Sequence, residues 1–124
     1  MTHFPMRLVP VMALAIPVPV FAAGELPLKH GIFVETAAGC SRAAHANVVS
    51  YWGTRLNTQR VEGRIVGVTR QGRAYEVRIM GRDIAEDRAI GRFAWSITVP
   101  SRTAMTIASP EGTRAYRWCF ARMP

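Results

Sequence analysis

Lysine is almost missing from this chain: Lys29 is the only one among 16 basic residues, and the rest are arginines set against only 8 acidic side chains. Cysteine is confined to Cys40 and Cys119, and histidine to His3, His30 and His45. These shortages exclude several chemistries. Structural zinc needs four ligands in closely spaced pairs, and Cys40-x4-His45 with one stray histidine matches no such pattern, so no metal is expected. A thiolate nucleophile needs a base beside it, and nothing around Cys119 resembles a protease or transferase signature. None of Ser41, Ser50, Ser96, Ser101 or Ser109 lies in a Gly-x-Ser-x-Gly elbow. No Asp-x-Asp-x-Asp-Gly run marks a calcium loop; Asp83, Glu86 and Asp87 share an arginine-rich stretch that they neutralise. No cofactor motif is present, and none of the acids pairs convincingly for glycosidase work. Catalytic residues are therefore not assigned. No apolar run reaches the roughly 20 residues that cross a bilayer.

What is present begins with an export pattern. Arg7 precedes the apolar run LVPVMALAIPVPV, and FAAG follows with Val20 and Ala22 in small-x-small spacing. The expectation is a cleaved signal peptide over residues 1–22 and one exported domain over 23–124, located in the periplasm or outside the cell. Removing 22 of 124 residues leaves 102, enough for one domain with a modest core. The full chain's +8 falls by the single charge of Arg7 to +7. Arginine suits bidentate contact with phosphate or carboxylate, so an anionic envelope component or a protein is the partner this charge favours. Arginines that only solubilise the surface account for the same count. Nucleic acid is not expected, because an exported protein rarely meets it.

In an oxidising compartment, two cysteines with no leftover thiol read as one disulfide, Cys40–Cys119. It would close most of the exported chain into one loop.

Along the chain, GIFVE from Gly31 reads as a first strand. TAAGCSRAAHAN breaks the pattern, and Ser41 is placed to cap a helical turn from Arg42 to Ala46, with Asn47 ending it. VVSYW then reads as a strand that stops at Gly53. RIVGVTRQGRAYEVRIM is a hairpin with two candidate registers. A Gln71-Gly72 turn pairs Val68 with Tyr75, and an Arg70-Gln71-Gly72 loop pairs Gly67 with Tyr75; the second is favoured because only Gly72 then needs a positive φ. GRDIAEDRAIGR reads as a loop. FAWSITV alternates cleanly, with Phe93, Trp95, Ile97 and Val99 on one face. TAMTIAS is the next strand, and PEG turns it into the last one, with Ile107 expected opposite Ala115 and Met105 opposite Arg117. The fold class is mainly β: a small antiparallel, barrel-like sheet with one short α-helix after the first strand.

The closing segment TRAYRWCFARMP gathers the candidate binding residues: Arg114, Tyr116, Arg117, Trp118 and Arg122. Arginines supply bidentate contact with an anion, and the aromatics beside them supply a stacking platform.

LPLKHGIFVETAAGCSRAAHA together with PEGTRAYRWC resembles a group of small exported proteobacterial β-rich proteins of unassigned activity. Those proteins share an early LPLK-x-G segment, a Cys-x-x-Ala turn and a late Tyr-x-x-Cys strand. Members of that group often carry further cysteines in the middle hairpin, where this chain has Gly63 and Gly81, so the resemblance implies no second disulfide here. The function expected is a non-enzymatic exported protein that binds an anionic or protein partner through an arginine-bearing face. Periplasmic lysozyme inhibitors, also small and β-rich, are one alternative, although lysozymes are commonly cationic and would repel a +7 partner. A small secreted hydrolase or nuclease using His30 or His45 is the other.

Overall fold

In the computed structural model, residues 25–124 are described. The expected signal peptide over 1–22 lies outside the described residues. Eight strands follow in chain order: β1 Gly31–Glu35, β2 Val48–Tyr51, β3 Leu56–Asn57, β4 Val61–Gln71, β5 Ala74–Asp83, β6 Arg88–Ser101, β7 Ala104–Ser109 and β8 Gly112–Phe120. All of them belong to one sheet with the order β3-β2-β1-β8-β7-β6-β5-β4, antiparallel throughout. The two ends of that order almost meet. An isolated bridge joins Arg55 to Arg64, and the Ile65 amide donates to the Thr54 carbonyl at 2.8 Å. Every connection links spatial neighbours, so the chain is an up-and-down meander curled into a nearly closed barrel, which leaves little exposed sheet edge.

The period of two along the strands decides what fills it. On β5, Tyr75, Val77 and Ile79 point inward; on β6, Phe93, Trp95, Ile97 and Val99 do so, as the FAWSITV alternation predicts. Phe33, Val49, Tyr51, Leu56, Ile65, Met105, Ile107 and Tyr116 complete the interior. Each such side chain stabilises the fold by roughly 1.5–3 kcal/mol on burial. Gly63, Gly81 and Gly91 face one another across β4, β5 and β6. This row leaves room for Phe93, whose Cε1 would lie 2.5 Å from a Cβ at Gly81.

The short α-helix is not formed. Two 3-10 turns, Cys40–Arg42 and His45–Asn47, occupy that segment, and Ala43 and Ala44 between them are extended. Gly39, at φ 78, precedes the first turn, so Ser41 sits inside it rather than capping it. A single helical turn fixes several dihedrals for few hydrogen bonds, and the first of these turns has no buried residue to repay that cost. Asn47 supplies local bonds instead, accepting from the Ala44 amide at 2.8 Å and donating to the Arg42 carbonyl at 3.2 Å.

Both hairpin registers differ from expectation. Gln71 pairs with Ala74, so the turn is Gly72-Arg73 and only Gly72, at φ 64, needs the left-handed region. A bulge between Ile65 and Gly67 then leaves Val66 as the extra, exposed residue and returns Ile65 to the face of its partner Ile79. In the last hairpin Ser109 pairs with Gly112, which puts Met105 opposite Tyr116 and Ile107 opposite Arg114. That one-residue shift joins Met105 and Ile107 to the aromatic face of β8. The stretch 81–92 is no loop but the end of one long hairpin. Its tip is fixed by the Asp83 carboxylate, which accepts from the Ala85 and Glu86 amides at 2.9 and 3.2 Å.

Candidate functional site

Chain direction assigns each connection to one end of the barrel. At the end where β2 finishes and β8 finishes, the segment before β1 acts as a plug. Leu26 and Leu28 are buried. The Leu26 amide donates to the Tyr51 hydroxyl at 2.7 Å, and that hydroxyl donates to the Leu26 carbonyl at 3.3 Å. Burial pushes the Tyr51 phenol above its ordinary value of 10.0, and Glu25 adds to the rise while the Leu26 backbone bond opposes it. Trp118 donates to the His30 carbonyl at 3.0 Å, and the Lys29 ammonium lies 3.7 Å over its ring. The His30 ring meets Tyr51 edge-on at 5.5 Å, which makes it part of the plug.

The opposite end is open. A cavity of 680 Å³ enters the barrel there, with Val49, Phe93, Trp95, Ile107 and Tyr116 among its walls. Polar side chains gather at the rim: Arg60 and Asp83, 3.8 Å apart, with Glu111 and Arg114 on the last hairpin. Burial raises the Tyr116 phenol above 10.0; Arg114 lowers it by charge and hydrogen bonding, and Glu35 raises it. Because Arg114 and Tyr116 are two apart on β8, they share the inward face, with the arginine nearer the mouth.

The structure divides the predicted residues among several places. Cys40 and Cys119 are bonded, with Cα atoms 5.5 Å apart, so the connection after β1 is stapled to the outer face of β8. Arg114 and Tyr116 meet at the cavity. Trp118, on the same face, is half-buried at the plugged end. Arg117 is exposed on the opposite face beside Gly39, and Arg122 is exposed beyond β8. The five therefore form no single patch, because alternation sends neighbours to opposite sides. Arg60, Val49, Phe93 and Trp95 belong to the cavity without having been singled out for binding. The inward face of β6 is visible in its alternation, but the mouth exists only once β2, β6 and β8 are brought round one axis.

Among the described residues no group of three His, Cys, Asp or Glu side chains is placed to hold a metal, and no helix is long and apolar enough to cross a membrane. Comparison with family profiles, with curated proteins and with solved structures finds no match to this chain.

Proposed function

We propose that this is an exported, non-enzymatic binding protein that holds an anionic partner at the arginine-bearing mouth of its barrel. The observation that carries the reading is the open cavity with Arg114 and Tyr116 on its inward face. A barrel of eight strands is wide enough either to fill with side chains or to hold one small ligand. Here one end is filled by Leu26 and Leu28 and the other is not. Export is supported by the Cys40–Cys119 bond, which persists in oxidising compartments. His30, one of the two histidines the hydrolase alternative would use, packs its ring on Tyr51 at the far end from the mouth.

The test is retention of envelope components on immobilised protein, eluted with rising salt. The wild type should hold an anionic component that Arg114→Gln releases at lower salt, because the arginine's charge is screened as ionic strength rises. Equal retention by the variant would remove Arg114 from the site.

A further inference from the structure

The walls and the rim of the cavity differ in chemistry, and that difference specifies a ligand. Its 680 Å³ falls within the roughly 300–1,000 Å³ of small-molecule sites. Val49, Phe93, Trp95 and Ile107 give it apolar walls, and exposed Ile90 is part of the same lining. A flexible chain adapts to a lining that runs from the interior out to exposed Ile90 better than a compact ring does. At the rim, Arg60 is engaged by Asp83. Arg114 has no carboxylate within ion-pair distance among the described residues. One unpaired cation therefore stands above an apolar pit, with the Tyr116 hydroxyl beside it. Asp83 and Glu111 on the same rim repel a polyanion but tolerate one negative head set against Arg114.

We infer that the open end takes a single-chain amphiphile, an unbranched acyl or alkyl chain lying in the cavity with one anionic head, carboxylate or phosphate, against Arg114. This rests on the mouth being the binding site, as proposed above. The head could come from a free fatty acid or from a monoacyl phospholipid, and both place the same atoms at Arg114.

The test is calorimetric titration with hexadecanoate, hexadecanol, a monoacyl phosphatidylglycerol and inorganic phosphate, each below its aggregation threshold. Hexadecanoate should bind one-to-one. Arg114→Gln should weaken it about tenfold, the loss of one charge-assisted hydrogen bond at a partly wet site, and leave hexadecanol unchanged. Ala46→Trp, at an exposed position on the mouth, should block both amphiphiles without touching the core. Tighter, Arg114-dependent binding of the monoacyl phospholipid supports the inference and identifies that source. Hexadecanol binding as tightly as hexadecanoate, or hexadecanoate binding undiminished in Ala46→Trp, would overturn it. If phosphate binds through Arg114 and no amphiphile does, the chain is wrong while the mouth stands; if none of the four binds, both readings fall.

Discussion

Cutting the Cys40–Cys119 bond should cost most of what a loop of its size can contribute. The bond spans 79 positions, and the chain-entropy relation assigns a loop of that length about 4.5 kcal/mol at 25 °C. Little of this should be offset by relaxation of the native state. The segment it tethers begins with one hydrogen bond to the barrel, from the Thr36 amide to the Ala115 carbonyl at 2.9 Å, and its first 3-10 turn buries nothing. Severing the bond therefore frees a strap on the outside while the sheet keeps its own ladders. Cys40→Ser and Cys119→Ser should each lose about 4 kcal/mol in urea unfolding followed by tryptophan fluorescence. The denaturant slope should rise, because the unfolded chain becomes less compact. The double variant should match either single, since one bond is lost in all three. The wild type should show no thiol to Ellman's reagent. A loss below about 1 kcal/mol with an unchanged slope would refute the entropic reasoning.

Gly63→Ala should destabilise more than Gly81→Ala, in equilibrium unfolding. A Cβ at Gly63 runs into the Leu56 carbonyl, which is backbone at the seam, whereas at Gly81 it meets the movable ring of Phe93; the second cost is about 1–3 kcal/mol. Phe93→Ala should relieve part of the Gly81→Ala penalty, so the double-mutant cycle should depart from additivity by at least about 0.5 kcal/mol. Stability should fall as pH rises above 10. The Tyr51 and Tyr116 phenols have folded values above the ordinary 10.0, so the stability they carry is complete below that value and is lost as pH climbs towards the folded one. Tyr51→Phe should shrink this alkaline loss in urea titrations at stepped pH. It should also cost about 1–2 kcal/mol at neutral pH, because it leaves the buried Leu26 amide without its acceptor.

Strands with a clear period of two were legible in the sequence, and those ruled by turn chemistry were not. Phe93, Trp95, Ile97 and Val99 faced the interior as their alternation requires. The hairpin at Gly72 was misregistered because the glycine serves the first central position of a two-residue turn, a choice its neighbours Gln71 and Arg73 do not signal. The supposed helix failed because helix-compatible alanines without a buried face cannot sustain one. β3 escaped notice because Leu56–Asn57 has no room for a pattern, yet the bridge that closes the barrel, Arg55 to Arg64, lies immediately before it. The same holds for the site. Arg114 and Tyr116 were within reach of a reading of the last strand, but the cavity they join depends on Val49 and Trp95, distant in sequence and brought together only by curvature.

The disulfide also decides how tension would travel through the molecule. Covalently, the chain from Cys40 to Cys119 is a ring, and β2 to β7 lie wholly within it. A pull between the plug and the tail beyond Cys119 passes through the sulfur bridge and bypasses those strands. β1 lies outside the ring, paired with β2 on one side and β8 on the other. It would be peeled away with the plug while β2 to β7 bore no load, which makes the filled end of the barrel the mechanically weak one and leaves most of the wall around the open end unstressed.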